Sequence, residues 1–510
     1  MRHDNRLIVD SADYSRLQLT QESVTVDILD TFLWILPILL LPEPHSPCLR
    51  IVTISSHYPS LDFVSQSTSV LGGVYGIVDC DTIHDQLALY KSLINHHLKY
   101  FRPVEKPQEF QYMKWVQYHL KYIDGWPKMD MNKKNVSKIR FHKRHLLVVE
   151  QTITFLSQMF YIVKNYGKLS FFEIGHSYIT ALMTIVIFSR SVVTALGRYR
   201  KIARYFVSSL HLYHYKDISE YALQTHLLVH RLSHYYTVYL ISLVVTGMLL
   251  FNITPLYNNI SSGVFNSPRP ENMTFQHAVY LGLPFDYTTD IKGYFVVCIL
   301  NWHLSHIAAS YFCTFDLFLS LLILHLWGHL RIILNNLKTF PKPYTNNSMY
   351  TEEENQVVLL KLQECIRYHN FIISFTVMMS NVYDVVIIVY YLFHQVTGCL
   401  LLLQCSTLEW ESLSRYGPLT LIIFQQLIQV SMIFEILGFL SDKLPNAVYS
   451  IPWEAMNVTN RKLVQVLLQK SQKPIQFKAM NMMSVGVQTM ASIIKTSISY
   501  FIMLRTIARD

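Results

Sequence analysis

The chain has 510 residues, of which 51% are hydrophobic and only 15% are charged. This composition is too apolar for an ordinary soluble protein and predicts a membrane protein. The net charge of +9 does not indicate a nucleic-acid partner, because the basic residues lie between the apolar segments and form no continuous basic face. The seven cysteines show no C-x-x-C or Cys/His spacing, so we expect no disulfide framework, no zinc site and no cofactor.

The N-terminal region contains one apolar segment that is too short to cross a membrane. Residues 28–41 form a run of 14 residues that contains Pro37 and follows an acidic stretch. A span needs about 20 residues, and a signal peptide would begin with basic residues. We therefore expect neither a span nor a signal peptide in this region.

Seven later segments are long and apolar enough to cross the hydrocarbon core. They cover residues 145–163, 174–196, 234–251, 294–324, 385–405, 419–440 and 479–504. The predicted fold class is an all-α membrane protein with a seven-transmembrane helix bundle. Lysines and arginines concentrate in the segments that are internal if the N-terminus is cytoplasmic, which predicts a cytoplasmic N-terminus and an extracellular C-terminus.

Three glycosylation sequons lie in the predicted external loop between spans three and four. They begin at Asn252, Asn259 and Asn272, and we predict these residues as glycosylation sites. A heptahelical G-protein-coupled receptor is the alternative class, but it would place its N-terminus outside. The sequence also lacks that class's Asp-Arg-Tyr motif after span three and its Asn-Pro-x-x-Tyr motif in span seven.

Several helices are predicted to continue beyond the membrane. Val357 to Cys405 contains no proline and one glycine, so it can form a single helix of about 49 residues, or about 75 Å. Trp453 to Gln469 has the spacing of another amphipathic helix. These helices can pack as a cytoplasmic anchor domain or lie along the membrane surface.

The last span carries a polar stripe at alternating spacings of three and four residues. Its members are Thr489, Ser492, Thr496, Ser499, Met503 and Thr506. The stripe indicates either a pore wall or close helix packing through small residues. Lys495 lies beside the stripe and could snorkel, reach a water-filled vestibule, or pair with Glu435 of span six.

Histidines raise the possibility of a metal-dependent membrane enzyme. His226, His230 and His234 are spaced four residues apart, as metal ligands can be. No acidic residue accompanies them on that helix face, and the chain has no His-x-x-His-His box. We predict histidines on a cytoplasmic surface, no metal and no enzymatic activity, with the histidine-metal enzyme as the less favoured alternative.

The C-terminal third resembles the insect odorant-receptor family. The matching residues are Gly438, Ser441, Ala447, Tyr449, Trp453, the segment Lys470-Ser-Gln-Lys-Pro474 and the segment Lys495-Thr-Ser-Ile-Ser-Tyr-Phe501. The resemblance covers residues 113–510 and implies one seven-transmembrane odorant-receptor domain there. Residues 1–112 are then an N-terminal extension of unknown role, either native or an artefact of the gene model.

The resemblance implies an odorant receptor that acts as the odour-tuned subunit of a tetrameric, ligand-gated, non-selective cation channel in olfactory neurons. Its expected partners are a co-receptor in a hetero-tetramer, a small volatile ligand and membrane lipid, in the plasma membrane of a sensory dendrite. It implies a pore and gate at Ser499, Met503, Thr506 and Ile507. The implied ligand-binding residues are His176, Ile179, Met183, Thr246, Phe251, Tyr294, Val297, Asn301, Phe424 and Ile428.

Overall fold

The computed structural model describes residues 106–126, 137–266, 273–344, 349–407, 410–475, 477–479 and 483–507. The apolar segment at 28–41 and most of the predicted N-terminal extension lie outside these residues.

The described chain is almost entirely helical. Its helices are α1 Gln111–Tyr122, α2 Ser137–Lys164, α3 Phe171–Ala195, α4 Gly197–Tyr205, α5 Glu220–Ser261, α6 Ile291–Lys338, α7 Glu352–Gln404, α8 Trp410–Asp442, α9 Leu444–Tyr449, α10 Val458–Ser471 and α11 Val487–Ile507. A π-helical turn follows α4 at Phe206–Leu210, and short 3-10 turns lie at Pro107–Glu109, Leu212–Tyr215, Cys405–Thr407 and Trp453–Ala455. Two short strands, β1 Lys478–Ala479 and β2 Met483–Ser484, pair antiparallel before α11.

Seven of these helices correspond to the predicted spans: α2, α3, α5, α6, α7, α8 and α11. Six of them, all except α11, are long and apolar enough to cross a membrane. The 21 residues of α11 extend about 32 Å, which matches a hydrocarbon core of about 30 Å. The prediction of an all-α bundle is confirmed.

The distribution of apolar and polar side chains on α2 is typical of a helix that faces lipid. Large apolar side chains are exposed along one face of this helix, at Leu146, Val149, Ile153, Leu156, Phe160 and Val163. The opposite face buries the polar side chains of Gln151, Thr154 and Gln158. A helix with its apolar side outward and its polar side inward is stable in lipid and would be unstable in water.

Capping boxes, in which two residues exchange side-chain to backbone hydrogen bonds, stabilise the starts of two of the spanning helices, α3 and α7. The Ser170 hydroxyl accepts a hydrogen bond from Glu173 N at 3.3 Å, and the Glu173 carboxylate accepts one from Ser170 N at 2.8 Å. Thr351 and Glu354 make the same arrangement at the start of α7. From there α7 continues for 53 residues, about 80 Å, so the prediction of one long helix in this region is confirmed.

We refer to the end of the bundle that carries most of the lysines and arginines as the cytoplasmic end. The predicted amphipathic helix from Trp453 is wrong at its start, because α10 begins only at Val458. Met456 has an extended backbone that interrupts the helix, and the Asn457 side chain caps the new start by accepting from Asn460 N at 2.9 Å. Asparagine competes with helix formation when it is internal but stabilises an N-cap.

The last helix starts later than predicted. Ala479 lies in β1, Met483 and Ser484 form β2, and α11 begins only at Val487. The Glu435 carboxylate of α8 accepts a hydrogen bond from Val487 N at 3.1 Å, so it occupies the positive N-terminus of α11. Lys495 is exposed about 12 Å further along the helix, and Glu435 has this N-terminal partner instead.

The prediction of surface histidines is wrong for His226, which is buried at the cytoplasmic end. Phe110, just before α1, packs over this helix face, with its ring centroid 4.5 Å from that of His230 and 5.9 Å from that of His226. The predicted domain boundary at Met113 lies inside α1, and Tyr112 on its N-terminal side packs into the same region. Among the described residues, no group of His, Cys, Asp and Glu has an arrangement that could hold a metal ion.

Tyr112 links two buried histidines in the loop after α4 and in α6. His211 Nε2 lies 2.6 Å and His325 Nε2 lies 3.4 Å from the Tyr112 hydroxyl oxygen. The Nδ1 atom of each histidine accepts a hydrogen bond from a backbone amide. Tyr213 N donates to His211, and Leu212 N donates to His325. Because a neutral imidazole has one acceptor and one donor nitrogen, each Nε2 carries the proton and donates to Tyr112.

This arrangement predicts acid-sensitive stability. Burial, and next the neighbouring His325, lower the pKa of His211 well below its usual 6.5. Below about pH 6.5 the unfolded chain therefore binds more protons than the folded chain does. The stabilisation is fully present above that pH and decreases as the pH falls through it. For one such histidine the decrease is up to about 1.4 kcal/mol per pH unit.

We expect the thermal unfolding temperature of the detergent-solubilised protein to fall between pH 7.5 and pH 5.5. His211→Gln, which cannot gain a charge, should show a smaller fall, whereas the exposed His306→Gln should behave as the wild type does. Equal falls in the wild type and His211→Gln would contradict the assignment.

Candidate ligand cavity and pore-facing helix

A cavity of about 110 Å³ lies among α2, α3, α5, α6 and α8. Its lining is mostly apolar, with amide and hydroxyl groups in several walls. The lining residues are Gln151, Gln158, Thr180, Met183, Thr184, Ile187, Val244, Gly247, Met248, Phe251, Val279, Leu304, Ser305, Ala308, Ala309, Phe312, Leu419, Ile422, Ile423 and Gln426. A concave, mainly apolar site with a few polar groups is typical of a small-molecule pocket.

Two of the predicted ligand-binding residues, Met183 and Phe251, line this cavity. Two others hold the loop that covers it. His176 Nε2 donates to Ala278 O at 2.9 Å, and Asn301 Nδ2 donates to Val279 O at 3.2 Å. Val279 itself lines the cavity, so His176 and Asn301 determine the position of part of its wall.

The structure places the other predicted ligand-binding residues away from the lining. Ile179 and Val297 are buried in helix packing, whereas Thr246 and Ile428 are exposed. Tyr294 stacks on Phe275 beneath the external loop, with ring centroids 4.4 Å apart.

Phe424 faces the interface between α7 and α8 rather than the cavity. A Cβ atom added to Gly398 of α7 would lie 3.1 Å from Phe424 Cζ. This close approach fixes Phe424 as a packing residue at the place where α7, α8 and α11 meet.

Three glutamines that line the cavity, Gln151, Gln158 and Gln426, were not among the residues predicted from the sequence. Each has at most 4% of its surface exposed, and each has a buried amide atom without a hydrogen-bond partner in the described structure: Gln151 Nε2, Gln158 Oε1 and Gln426 Oε1. The signal was present, because the seven-residue spacing of Gln151 and Gln158 places both amides on one face of an apolar span.

An ion pair lies directly beneath the cavity. Arg190 Nη2 of α3 is 2.9 Å from Asp316 Oδ1 of α6, and both side chains are buried. The guanidinium also lies 4.4 Å from the ring centroid of Phe312, which lines the cavity, and 5.7 Å from that of Tyr390 of α7. The pair therefore touches both the floor of the cavity and the helix that contacts α11.

The helix α11 has two different faces. Ile493 and Ser497 are buried against the bundle, and the Ser497 hydroxyl donates to Gln395 O of α7 at 3.2 Å. The predicted pore residues Ser499, Met503 and Thr506 are exposed on this single chain, Met503 to 50%. Ile507 ends the helix, and its side chain is outside the described part.

Two of the three predicted glycosylation sites require correction. Asn252 and Asn259 are both buried within α5. The Asn259 amide donates to Gln276 O at 2.8 Å and accepts from Gln276 N at 2.8 Å. A glycan would displace these contacts, so the structure argues against glycosylation at both positions. Asn272 lies outside the described residues and remains a prediction.

The fold and cavity define a multi-pass helical membrane protein with an internal, mostly apolar cavity. The family model of the 7tm Odorant receptor matches residues 170–498, and the chain belongs to that family. Membership places it in a receptor family rather than an enzyme family, and the resemblance seen in the sequence is confirmed.

Curated relatives and solved structures agree with this assignment. The chain is 21% identical to Putative odorant receptor 92a of Drosophila melanogaster, over 45% of this chain and 54% of that protein. It is 23% identical to Odorant receptor 10a of the same species, over 36% and 45%. The chain thus spans about half the length of the curated relatives it matches.

The insect olfactory receptor OR5 from Machilis hrabei has a similar fold. Its structure aligns with a TM-score of 0.63 at 15% identity, over 77% of this chain and 97% of that one. The structure of the same receptor in complex with eugenol gives the same TM-score and covers 78% of this chain. This likeness confirms the predicted seven-helix fold class.

Proposed function

We propose that the chain is an odorant receptor that acts as the odour-tuned subunit of a ligand-gated, non-selective cation channel. In this proposal a co-receptor completes a hetero-tetramer in the plasma membrane of a sensory dendrite, and a volatile molecule in the cavity opens the pore. The observation that carries the proposal is the exposed polar face of α11, combined with membership of the odorant-receptor family.

The two faces of α11 support a pore at the centre of several subunits. Its own subunit covers Ile493 and Ser497 but leaves Ser499 and Thr506 exposed. Hydroxyl-bearing side chains are compatible with a water-filled path, and an apolar residue such as Met503 can close such a path by dewetting. Subunits arranged around an axis would then form a constriction from the exposed Met503 side chains.

A continuous set of contacts can link the cavity to this helix. Arg190 contacts the cavity residue Phe312 and also Tyr390 of α7. About 1.4 turns further along α7, Gln395 Nε2 donates to Ser497 Oγ of α11 at 3.4 Å. A ligand that shifts Phe312 can therefore bias the position of α11, which is the physical requirement for gating at a distance.

The proposal is tested by recording from cells that express the chain with and without a co-receptor while volatiles are applied. We expect an odour-evoked cation current with the co-receptor, without a requirement for G proteins. A response that disappears when G-protein signalling is blocked, with no conductance of the chain itself, would contradict the proposal and favour a G-protein-coupled receptor.

The pore assignment makes a prediction at single residues. Met503→Cys and Ser499→Cys should make the evoked current sensitive to a positively charged, thiol-reactive methanethiosulfonate, with at least about a tenfold loss of current, because a charge in a narrow cation path opposes conduction. Ser497→Cys on the buried face of α11 is the matched control and should be unaffected. Equal modification of all three, in a background that is itself insensitive, would argue against a pore on this face.

A further inference from the structure

The cavity contains unsatisfied hydrogen-bonding groups in two of its walls. Gln151 Nε2 and Gln158 Oε1 lie on α2, and Gln426 Oε1 lies on α8. A buried amide atom without a partner costs about 1–3 kcal/mol, so a group that supplies the missing hydrogen bonds binds with a corresponding advantage. All three side chains line the cavity and are at least nine-tenths buried.

Two of these glutamines lie at the cytoplasmic end of the cavity. Gln151 is the lining residue of α2 nearest that end and Gln426 is that of α8, whereas Gln158 lies about 10 Å further out along α2. The cytoplasmic end of the cavity therefore has an amide from each of two walls. Each amide contains both an NH₂ donor and a carbonyl acceptor, and either can face a ligand after rotation of the last side-chain torsion.

The lining also limits the charge and size of the ligand. None of the lining residues is Lys, Arg, Asp or Glu, so an ionised ligand would lack a counter-charge in an apolar surrounding. At roughly 10–15 Å³ per water-sized position, the volume of about 110 Å³ accommodates roughly seven to eleven non-hydrogen atoms.

We infer that the cavity is selective for a small neutral ligand with a hydroxyl group, such as an aliphatic or aromatic alcohol, over a hydrocarbon or ether of the same size. A hydroxyl can accept a hydrogen bond from one amide and donate one to another, whereas an ether can only accept and a hydrocarbon can do neither. This inference rests on the proposed function and specifies the class of ligand for that site.

The test uses two matched sets of volatiles with nine non-hydrogen atoms each. The first set is 1-octanol, heptyl methyl ether and nonane, and the second is 2-phenylethanol, benzyl methyl ether and propylbenzene. Currents are recorded from cells that express the full chain with a co-receptor. We expect at least one alcohol to activate at concentrations roughly tenfold or more below those of its ether and hydrocarbon counterparts.

The glutamines are then replaced by methionine, which has a similar shape and lacks the amide. Gln151→Met and Gln426→Met should each raise the activating concentration of the preferred alcohol roughly threefold to tenfold and change that of the hydrocarbon little. The control is Gln425→Met, because Gln425 does not line the cavity and its amide donates to Gln429 at 2.7 Å within α8. Surface labelling normalises the currents, and the wild-type series remains decisive if a variant fails to reach the surface.

The outcomes separate this inference from the function on which it rests. If neither alcohol is preferred, or if the methionine variants leave the ratio of alcohol to hydrocarbon unchanged, the inference fails, and bound water rather than a ligand hydroxyl satisfies the amides. If another volatile from a broad panel still evokes a current, the proposed function stands. If no volatile evokes a current from surface-expressed chains, the proposed function fails as well.

Discussion

Arg190→Met should reduce the amount of protein at the cell surface by about tenfold or more. The substitution removes one partner of a buried ion pair and leaves the Asp316 carboxylate without its counter-charge. Breaking a buried pair in this way costs about 3–5 kcal/mol, which is a large part of the stability of a typical domain. Surface biotinylation and thermal stability in detergent measure the effect.

We expect a large loss of stability when only one partner of the ion pair is replaced, and a smaller loss when both partners are replaced. The double variant Arg190→Met with Asp316→Leu removes both charges and should recover much of the lost stability, since an apolar pair of similar volume is often equivalent to a buried ion pair. Arg198→Met, eight residues further on in α4 and exposed, is the control and should change little. A single Arg190→Met variant that matches this control would show that Asp316 is not held as a charged partner.

The membrane spans were predictable from the sequence, but the roles of individual side chains were not. Hydropathy identified all seven spans because the bilayer imposes length and apolarity on any crossing helix. The predicted boundary at 479 failed because the hairpin ending at Ser484 and the Glu435 contact with Val487 depend on tertiary structure. The continuous α7 was predictable because its sequence contains no proline to interrupt the helix.

The candidate ligand site was predictable only in outline. A helix position gives a face to within about a quarter turn, which is too coarse to decide whether a residue lines a cavity or packs beside it. Met183 and Phe251 line the cavity, but Thr246, one residue from the lining residue Gly247, is exposed. Gln151 was overlooked because α2 lay outside the set of helices that the family resemblance implied, although a glutamine within an apolar span is itself a functional signal.

The prediction that the histidines of α5 lie on the surface failed for a different reason, because another part of the chain covers them. The four-residue spacing places His226 and His230 on one helix face, and no carboxylate lies on it, which favoured a solvated surface. Phe110 and Tyr112 then cover that face from a distant part of the chain. Burial of this kind depends on a contact between residues more than a hundred positions apart, which helical periodicity does not encode.

Gly398→Val should abolish most of the evoked current while leaving surface expression largely intact. A Cβ atom at this position would lie 3.1 Å from Phe424 Cζ and 3.2 Å from Ser497 Oγ, closer than ordinary van der Waals contact. Valine adds two further methyl groups, so the side chains of Phe424 and Ser497 have to give way, and we expect α8 and α11 to shift relative to α7. Overpacking costs about 1–3 kcal/mol, which the fold can tolerate, but the displacement changes the position of Met503, which lies about 1.7 turns beyond Ser497.

Gly438→Val is the matched control, because a Cβ atom on Gly438 meets no atom within 4 Å and the change in helix propensity is the same. We expect at least about a tenfold difference in maximal current between the two variants at equal surface expression. Adding Phe424→Leu to Gly398→Val removes the Cζ atom and leaves the contact between Gln395 and Ser497 in place, so it should recover part of the current. Wild-type currents from Gly398→Val would mean that the contact between α7 and α11 does not determine where the pore-facing side chains lie, and the proposed route from the cavity through α7 would have to be abandoned.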